Sequence, residues 1–65
     1  MNKVYVVLSD WNESTDLFGI YASFESAKNA INNWLGDEFG EWTSENRFEL
    51  DDGGMYRIVT RTVEP

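Results

Sequence analysis

The sequence predicts an α+β fold, in which a four-stranded, mostly antiparallel sheet carries one helix packed on one face. Three observations support this prediction. Apolar residues repeat at helical spacing in the middle of the chain, two strand-like segments come before them, and two strand-like segments joined by a turn follow. The elements are therefore expected in the order β-β-α-β-β. Because the chain has only 65 residues, we expect residues 1–65 to form a single compact domain.

The two strands before the helix are predicted from their β-branched and aromatic residues. Residues 3–8 (KVYVVL) are apolar on both faces, which is typical of a central strand. Residues 9–16 are polar apart from Trp11 and are predicted to form a loop. Residues 17–21 (LFGIY) are predicted as the second strand, in which Gly19 marks a bulge or a point of close packing.

The helix is predicted from a cap at each end and an apolar stripe between the caps. The Ser23 hydroxyl can accept hydrogen bonds from the free amides of a first turn, and Gly36 is the residue type that commonly ends a helix. The apolar stripe consists of Phe24, Ala27, Ile31, Trp34 and Leu35, with Ala30 beside them. We expect Phe24 and Trp34 to lie in the core.

Two strands and a hairpin turn are predicted after the helix. Residues 42–50 alternate between apolar and polar side chains, as expected of one half-buried antiparallel strand with Trp42 and Phe48 in the core. Residues 51–54 (DDGG) predict a hairpin turn, because Asp and Gly tolerate the positive φ that such turns require. Residues 55–63 (MYRIVTRTV) are predicted as the closing strand.

The surfaces that this fold leaves open include a sheet face and two aromatic side chains. Since the helix covers one face of the sheet, we expect the face that carries Tyr5 and Val7 to be exposed as a candidate interface. Trp11 lies in a polar segment and has two interpretations, either a cover for the end of the core or an exposed anchor for a partner. The same alternatives apply to Phe39, which lies beside acidic residues.

The composition excludes several classes of function. The chain has no cysteine and no histidine, so disulfides, thiolate zinc sites, imidazole ligation and Ser-His-Asp or Cys-His catalysis are excluded. It has neither a phosphate-binding loop motif nor a dinucleotide-binding glycine motif. We therefore predict a protein that is not an enzyme and uses no cofactor. No apolar stretch is long enough for a signal peptide or a membrane span, which predicts a cytoplasmic protein.

The charge of the chain is concentrated in one segment. The formal net charge is −7, and residues 37–52 contain seven acidic residues against Arg47 alone, so this segment carries −6. Its acidic residues are Asp37, Glu38, Glu41, Glu45, Glu49, Asp51 and Asp52. Carboxylates two residues apart on a strand lie on one face at ~6.8 Å. Glu45, Glu49 and Asp51 are therefore predicted to form an acidic row that Arg47 interrupts.

The acidic segment has three interpretations. A negative surface that resembles a row of phosphates would be attracted to a basic groove that normally holds nucleic acid. Alternatively, the charges keep the edge of the sheet soluble and prevent pairing with other sheets. A divalent-cation site at Asp51 and Asp52 is a further alternative, although the spacing matches no known calcium loop. Direct binding of nucleic acid is disfavoured, because the five basic residues are scattered and the net charge repels phosphate.

Two stretches of the sequence resemble a loose family of small, uncharacterised bacterial and bacteriophage proteins. They are residues 3–8 (KVYVVL) and residues 19–28 (GIYASFESAK), followed by Ala30-Ile31. Proteins of this family open with a KVYVV strand and continue with a G-hydrophobic-Y/F-x-S-x-E-x-A pattern that leads into a helix. The resemblance covers residues 3–35 and implies no activity and no catalytic residues. It favours an origin in a phage or mobile element, where tiny acidic proteins often occupy the nucleic-acid site of a host protein.

Together, these observations predict a small acidic binding protein of phage origin that works in the bacterial cytoplasm. It would inhibit or modulate a bacterial nucleic-acid-binding protein, such as a nuclease, a defence effector or a polymerase component, by mimicking DNA or RNA. The predicted partner-binding residues are the seven acidic residues of the segment together with Trp11 and Phe39. The alternative is a structural or interaction domain that forms a homodimer through a sheet face or an edge strand. Neither interpretation involves a membrane.

Overall fold

The computed structural model of the chain describes residues 2–36 and 38–63. Within them, five strands and one helix follow one another. They are β1 (Asn2–Trp11), β2 (Ser14–Tyr21), α1 (Phe24–Leu35), β3 (Gly40–Ser44), β4 (Arg47–Leu50) and β5 (Met55–Val63). The strands form an antiparallel sheet in the order β2-β1-β5-β4-β3. The α+β class is thus confirmed, whereas four strands in the order β-β-α-β-β are corrected to β-β-α-β-β-β.

The additional strand arises because residues 42–50 fold back on themselves instead of forming one strand. β3 and β4 are joined by a turn at Glu45 and Asn46. The Ser44 hydroxyl donates to Asn46 Oδ1 at 3.1 Å, and the Asn46 carbonyl accepts from the Ile58 backbone N–H at 2.9 Å. Asn46 therefore closes the turn and holds it against β5, which is a role that asparagine often takes in turns.

The predicted loop at residues 9–16 is also wrong, because β1 and β2 continue through it to a two-residue turn. Trp11 pairs with Ser14 across this turn. The central residues Asn12 and Glu13 have φ values of +50° and +69°. Positive φ at both positions is the geometry of the type I′ turn, whose twist matches that of the flanking strands. The polar side chains of this segment therefore belong to a regular antiparallel ladder.

The predicted helix and both of its caps are confirmed. The Ser23 side chain accepts a hydrogen bond from the Ser26 N–H at 3.1 Å, and the Gly36 N–H donates to the Asn32 carbonyl at 3.0 Å. α1 packs over β2, β1 and β5. The buried core of the described residues consists of Val7, Ala27, Ile31, Phe48 and Ile58.

The helix covers the face of the sheet that was expected to be exposed. Val7 is completely buried, and the rings of Tyr5 and Phe24 are nearly perpendicular, with 6.1 Å between their centroids. The expectation that Tyr5 and Val7 form an open interface is therefore wrong. β1 is apolar on both sides, so its own pattern does not distinguish the two faces. The residues that point away from α1 include Val6 and Leu8.

Two other sequence expectations have different outcomes. The Trp34 side chain is 63% exposed, so its predicted place in the core is wrong. It lies at the edge of the apolar stripe, where its indole N–H donates to the Tyr56 hydroxyl at 3.1 Å. The close packing expected at Gly19 is confirmed, because a Cβ there would lie 2.6 Å from the Tyr21 hydroxyl oxygen. The register of β1 against β2 shifts beside it, between Val7 and Leu8.

Candidate functional site

The acidic residues lie on and around the hairpin of β3 and β4, which we call the edge hairpin (residues 40–50). Its apolar side is fixed to the helix. Trp42 and Phe48 are cross-strand partners whose rings meet edge to face at 5.3 Å. The Trp42 indole N–H donates to Asn32 Oδ1 at 2.9 Å, and Lys28 Nζ lies 5.0 Å from the centre of the Trp42 ring. These contacts give the edge hairpin a defined position against α1.

The opposite side of the edge hairpin carries two carboxylates in one cross-strand pair. Glu41 on β3 lies directly opposite Glu49 on β4, and both are exposed. The Thr43 hydroxyl donates to Glu49 Oε2 at 2.7 Å, which supplies a partner for one of the two charges. Like charges directly opposite each other destabilise a sheet. This pair is therefore an unfavourable feature of the fold that the sequence pattern did not reveal.

The predicted row of Glu45, Glu49 and Asp51 on one strand does not form. Glu45 lies in the turn between β3 and β4, and Asp51 follows β4 at the opposite end of the hairpin. The carboxylates are instead distributed along the length of the edge hairpin, with Glu41 and Glu49 between its two ends. The fold-back at residues 45 and 46 causes this difference, because it places β3 beside β4 instead of in line with it.

The end of the edge hairpin nearest to the turn before β5 forms an open pocket of about 240 Å³. The pocket is lined by Leu35, Glu38, Phe39, Leu50, Asp51 and Asp52. The Asp51 N–H donates to the Phe39 carbonyl at 2.9 Å, and Asp52 Oδ1 accepts from the Gly54 N–H at 3.2 Å. Apolar and acidic residues together suit a long cationic side chain, whose stem is apolar and whose head is charged.

Trp11 and Phe39 lie at this same end of the molecule and are 52% and 55% exposed. Trp11 packs over Gly54, where a Cβ would lie 2.8 Å from Trp11 Cε3 and 2.9 Å from Leu50 Cδ1. Leu50 also lines the pocket beside Phe39. Trp11 therefore covers the end of the core with one part of its ring and leaves the other part in solvent.

The carboxylates around the edge hairpin have few partners. In residues 2–36 and 38–63, no side-chain hydrogen bond or ion pair involves Glu38, Glu41, Glu45 or Asp51. An ion pair of the described residues lies outside the edge hairpin, between β5 and β1, where Arg57 Nε is 2.7 Å from Asp10 Oδ2. Hydrogen bonds from Thr15 and Arg57 hold the pKa of the Asp10 carboxyl below its usual value.

The remaining site predictions concern Asp37, metal ions and membranes. Asp37 lies outside the described residues. No group of three or more acidic residues in the described ranges is arranged to hold a metal ion, so the alternative of a cation at Asp51 and Asp52 gains no third ligand. In the part of the chain that the structure describes, helices fall short of the length and apolar character needed to span a bilayer.

Comparisons of the chain with protein-family models, with curated proteins and with solved structures gave no match. The molecule has three features that bear on function: the acidic edge hairpin, the pocket at its end and the sheet face that α1 leaves uncovered.

Proposed function

We propose that this chain is a small, non-enzymatic acidic binding protein that inhibits or modulates a bacterial nucleic-acid-binding protein by electrostatic mimicry. The observation that carries the proposal is the set of exposed carboxylates of Glu41, Glu45 and Asp51. They extend from one end of the edge hairpin to the other, and no hydrogen bond or ion pair within the described residues uses them. Such carboxylates are available to cations on a partner.

The energetics favour a basic partner. Gathering like charges on a chain with a formal charge of −7 destabilises the folded state by self-repulsion. A surface of lysine and arginine relieves this repulsion on binding, and the complementary potentials accelerate association. A nucleic-acid groove is such a surface, because it is built to neutralise a row of phosphates.

The pocket adds an apolar component to this surface. Phe39 and Leu50 supply apolar walls, while Glu38, Asp51 and Asp52 supply negative charge at the same place. An arginine or lysine of the partner can place its methylene stem against the apolar walls and its head beside the carboxylates. Phe39 and Trp11 are then apolar anchors at the end of a charged surface, consistent with the frequent use of aromatic residues as interface hot spots.

The family resemblance of residues 3–35 supports a phage or mobile-element origin and hence a target in the bacterial cytoplasm. The competing interpretation is that the carboxylates only keep β3 soluble, since β3 is an edge strand of the sheet and charges on such strands prevent edge-to-edge aggregation. The two interpretations differ in one measurable respect. Only mimicry requires a partner whose binding depends on these carboxylates.

The test uses two variants with the same change of charge. The hairpin variant carries Glu41→Gln, Glu45→Gln and Asp51→Asn. The control variant removes three charges elsewhere through Glu13→Gln, Asp16→Asn and Glu25→Gln. Wild type and both variants are used to capture proteins from a bacterial lysate, and the affinity for each captured protein is measured at low and high salt with duplex DNA or RNA as competitor.

We expect the hairpin variant to bind the captured target about tenfold or more weakly, while the control variant binds within a few-fold of wild type. Binding should weaken at high salt, and excess nucleic acid should displace the chain. Equal binding by both variants, or binding that excess nucleic acid leaves unchanged, would contradict the proposal and favour the solubility interpretation.

A further inference from the structure

The sheet face that points away from α1, which we call the open face, carries a continuous apolar area. Cross-strand pairing places Ile20, Val6 and Val59 in one row across β2, β1 and β5. Leu17 and Leu8 lie in the next row. Leu17 and Ile20 are 60% and 58% exposed, although they belong to a regular strand. Soluble monomers seldom leave a large contiguous apolar patch uncovered, so this face indicates an interaction surface.

The open face also differs in charge from the rest of the molecule. The register places three arginines and three acidic residues on it: Arg47, Arg57, Arg61, Asp10, Glu41 and Glu49. The open face therefore has no net charge, and the formal charge of −7 belongs to the remainder of the chain. Every arginine of the chain lies on this one face.

We propose that the open face is the interface of a symmetric homodimer, in which the apolar side chains of β2, β1 and β5 of two copies pack face to face. Charge favours a second copy over other occupants. Two molecules of charge −7 repel each other, and the repulsion is smallest when their neutral faces meet and their acidic surfaces point apart. Arg57 and Arg61 flank the apolar row of Val6 and Val59 and disfavour a basic partner there, and an acidic partner or anionic membrane would be repelled by the rest of the chain.

The three apolar strands give such a dimer a small interface. With a strand spacing of ~4.8 Å and a rise of ~3.3 Å per residue, β2, β1 and β5 form a face of roughly 14 Å by roughly 30 Å, so two copies would cover on the order of 850 Å² in total. This area lies just below the value of about 1,000 Å² that a stable specific interface buries, which is consistent with a dimer that dissociates on dilution. Two sheets in aligned packing, ~10 Å apart, would form a sandwich with a second core between them.

The stability of so small a chain also favours a second core. Its accessible surface of 4724 Å² exceeds the ~4,200 Å² expected of a compact monomer with a mass of 7.5 kDa. Small domains without disulfides or metals often obtain the missing burial from a partner subunit. The dimer uses the apolar rows of β2, β1 and β5, whereas mimicry uses carboxylates of the edge hairpin; Glu41 shares the open face but lies on β3, at the far edge of the sheet from β2.

The test is the mass of the full chain in solution, measured by analytical ultracentrifugation over a range of concentrations. We expect wild type to have twice the chain mass of 7.5 kDa and to dissociate on dilution. The Leu17→Lys/Ile20→Lys variant should raise the dissociation constant by about a hundredfold or more. It reduces the net negative charge of each molecule, so weaker association cannot be attributed to stronger overall repulsion and reports the charges placed within the apolar rows. Asn29→Lys/Asn33→Lys makes the same change of charge on exposed helix positions and should remain dimeric.

Circular dichroism establishes whether each variant is folded, and Val59→Thr supplies a milder change of the same face if the lysine variant unfolds. A monomeric wild type would overturn the proposal whatever the variants do. A dimer that survives both Leu17→Lys/Ile20→Lys and Val59→Thr would overturn it too, because the contact would then lie at a strand edge or elsewhere. A monomer that binds vesicles of neutral phospholipid would assign the open face to a membrane surface instead.

Discussion

Glu41 and Glu49 lie directly opposite each other across β3 and β4, and both side chains are exposed. Thr43 donates a hydrogen bond to Glu49, whereas no side-chain hydrogen bond within residues 2–36 and 38–63 involves Glu41. The pair thus combines a cost in stability with a surface suited to a cationic partner. We therefore expect that removing the charge of Glu41 raises the stability of the fold and weakens the binding of a cationic partner.

Glu41→Gln is expected to raise the free energy of unfolding by roughly 0.2–1 kcal/mol, because it removes the repulsion from Glu49. Urea denaturation at low salt measures the change, and high salt should reduce it by screening. Glu49→Gln is the matched comparison and should gain less, since it also weakens the charge-assisted hydrogen bond from Thr43. If Glu41→Gln were less stable than wild type, repulsion between Glu41 and Glu49 would not be lowering the stability of the fold.

Glu13→Gly is expected to stabilise the chain by about 1 kcal/mol, because Glu13 has a φ of +69° and only glycine adopts such a conformation without a steric cost. Asn12→Gly is the control at the neighbouring position, where φ is +50°. Asparagine tolerates this region, so the gain there should be smaller. Thermal and urea unfolding test both variants, and a larger gain at Asn12 than at Glu13 would contradict the explanation.

Asp10→Asn is expected to lower the free energy of unfolding at pH 7 by about 0.5–1 kcal/mol, since it removes the ion pair with the partly exposed Arg57. The pKa of Asp10 is lowered in the folded protein. Its contribution is therefore fully present above the unfolded pKa of about 3.9 and is lost as the pH falls through the lower folded value.

Urea denaturation at pH 7 and at decreasing pH values below about 4 tests this expectation, with protein concentration held constant. The difference between wild type and Asp10→Asn should shrink as the acid is added. Asp16→Asn, an exposed position on the same hairpin, should show a much smaller difference at pH 7. If the difference in free energy of unfolding between wild type and Asp10→Asn stayed the same in acid, the charge of Asp10 would not be its cause.

Gly54→Ala is expected to destabilise the chain by roughly 1–3 kcal/mol, because the new Cβ would lie 2.8 Å from the Trp11 ring. A double-mutant cycle with Trp11→Ala measures this contact. Gly54→Ala should cost clearly less when Trp11 has been removed. Equal costs in both backgrounds would mean that the Trp11 ring does not limit the substitution and that the contact with Leu50 Cδ1, 2.9 Å from the new Cβ, or the backbone does.

The helix was predictable from sequence because its signals are local. Ser23 and Gly36 cap the two ends, and the apolar repeat between them matches only the helical period. Trp34 was misplaced because periodicity gives the direction of a side chain and not the width of the surface that covers it. Trp34 contacts the sheet through the Phe18 ring, 6.0 Å away between centroids, and through its hydrogen bond to Tyr56, while most of the residue stays exposed.

The strand errors have a different cause. Trp42 and Phe48 lie on the same face whether residues 42–50 form one strand or fold back as cross-strand partners, so alternation alone does not detect the turn. The polar pair Glu45-Asn46 was the available signal. The acidic content of the segment could be counted from sequence. The opposition of Glu41 and Glu49 depends on the fold-back and could not.

The exposed face of the sheet was assigned to the wrong side for a related reason. β1 offers apolar residues on both faces, with Val7 on one and Val6 on the other. Which face of β1 the helix covers depends on which face of β5 packs against α1. On β5, Ile58 is buried on the side of the helix, whereas Arg57 lies on the opposite side and pairs with Asp10. Such a choice arises from packing between elements distant in sequence.

The attachment of the edge hairpin has a consequence for how the molecule opens. β4 pairs with β5 through a short register from Arg47 to Glu49, whereas β1 pairs with β5 along nearly its whole length. Amide hydrogen exchange should therefore be faster in the edge hairpin than in β1 and β5, through a sub-global opening that leaves the three remaining strands folded. On warming, the edge hairpin and its acidic surface would therefore unfold while most of the chain is still native.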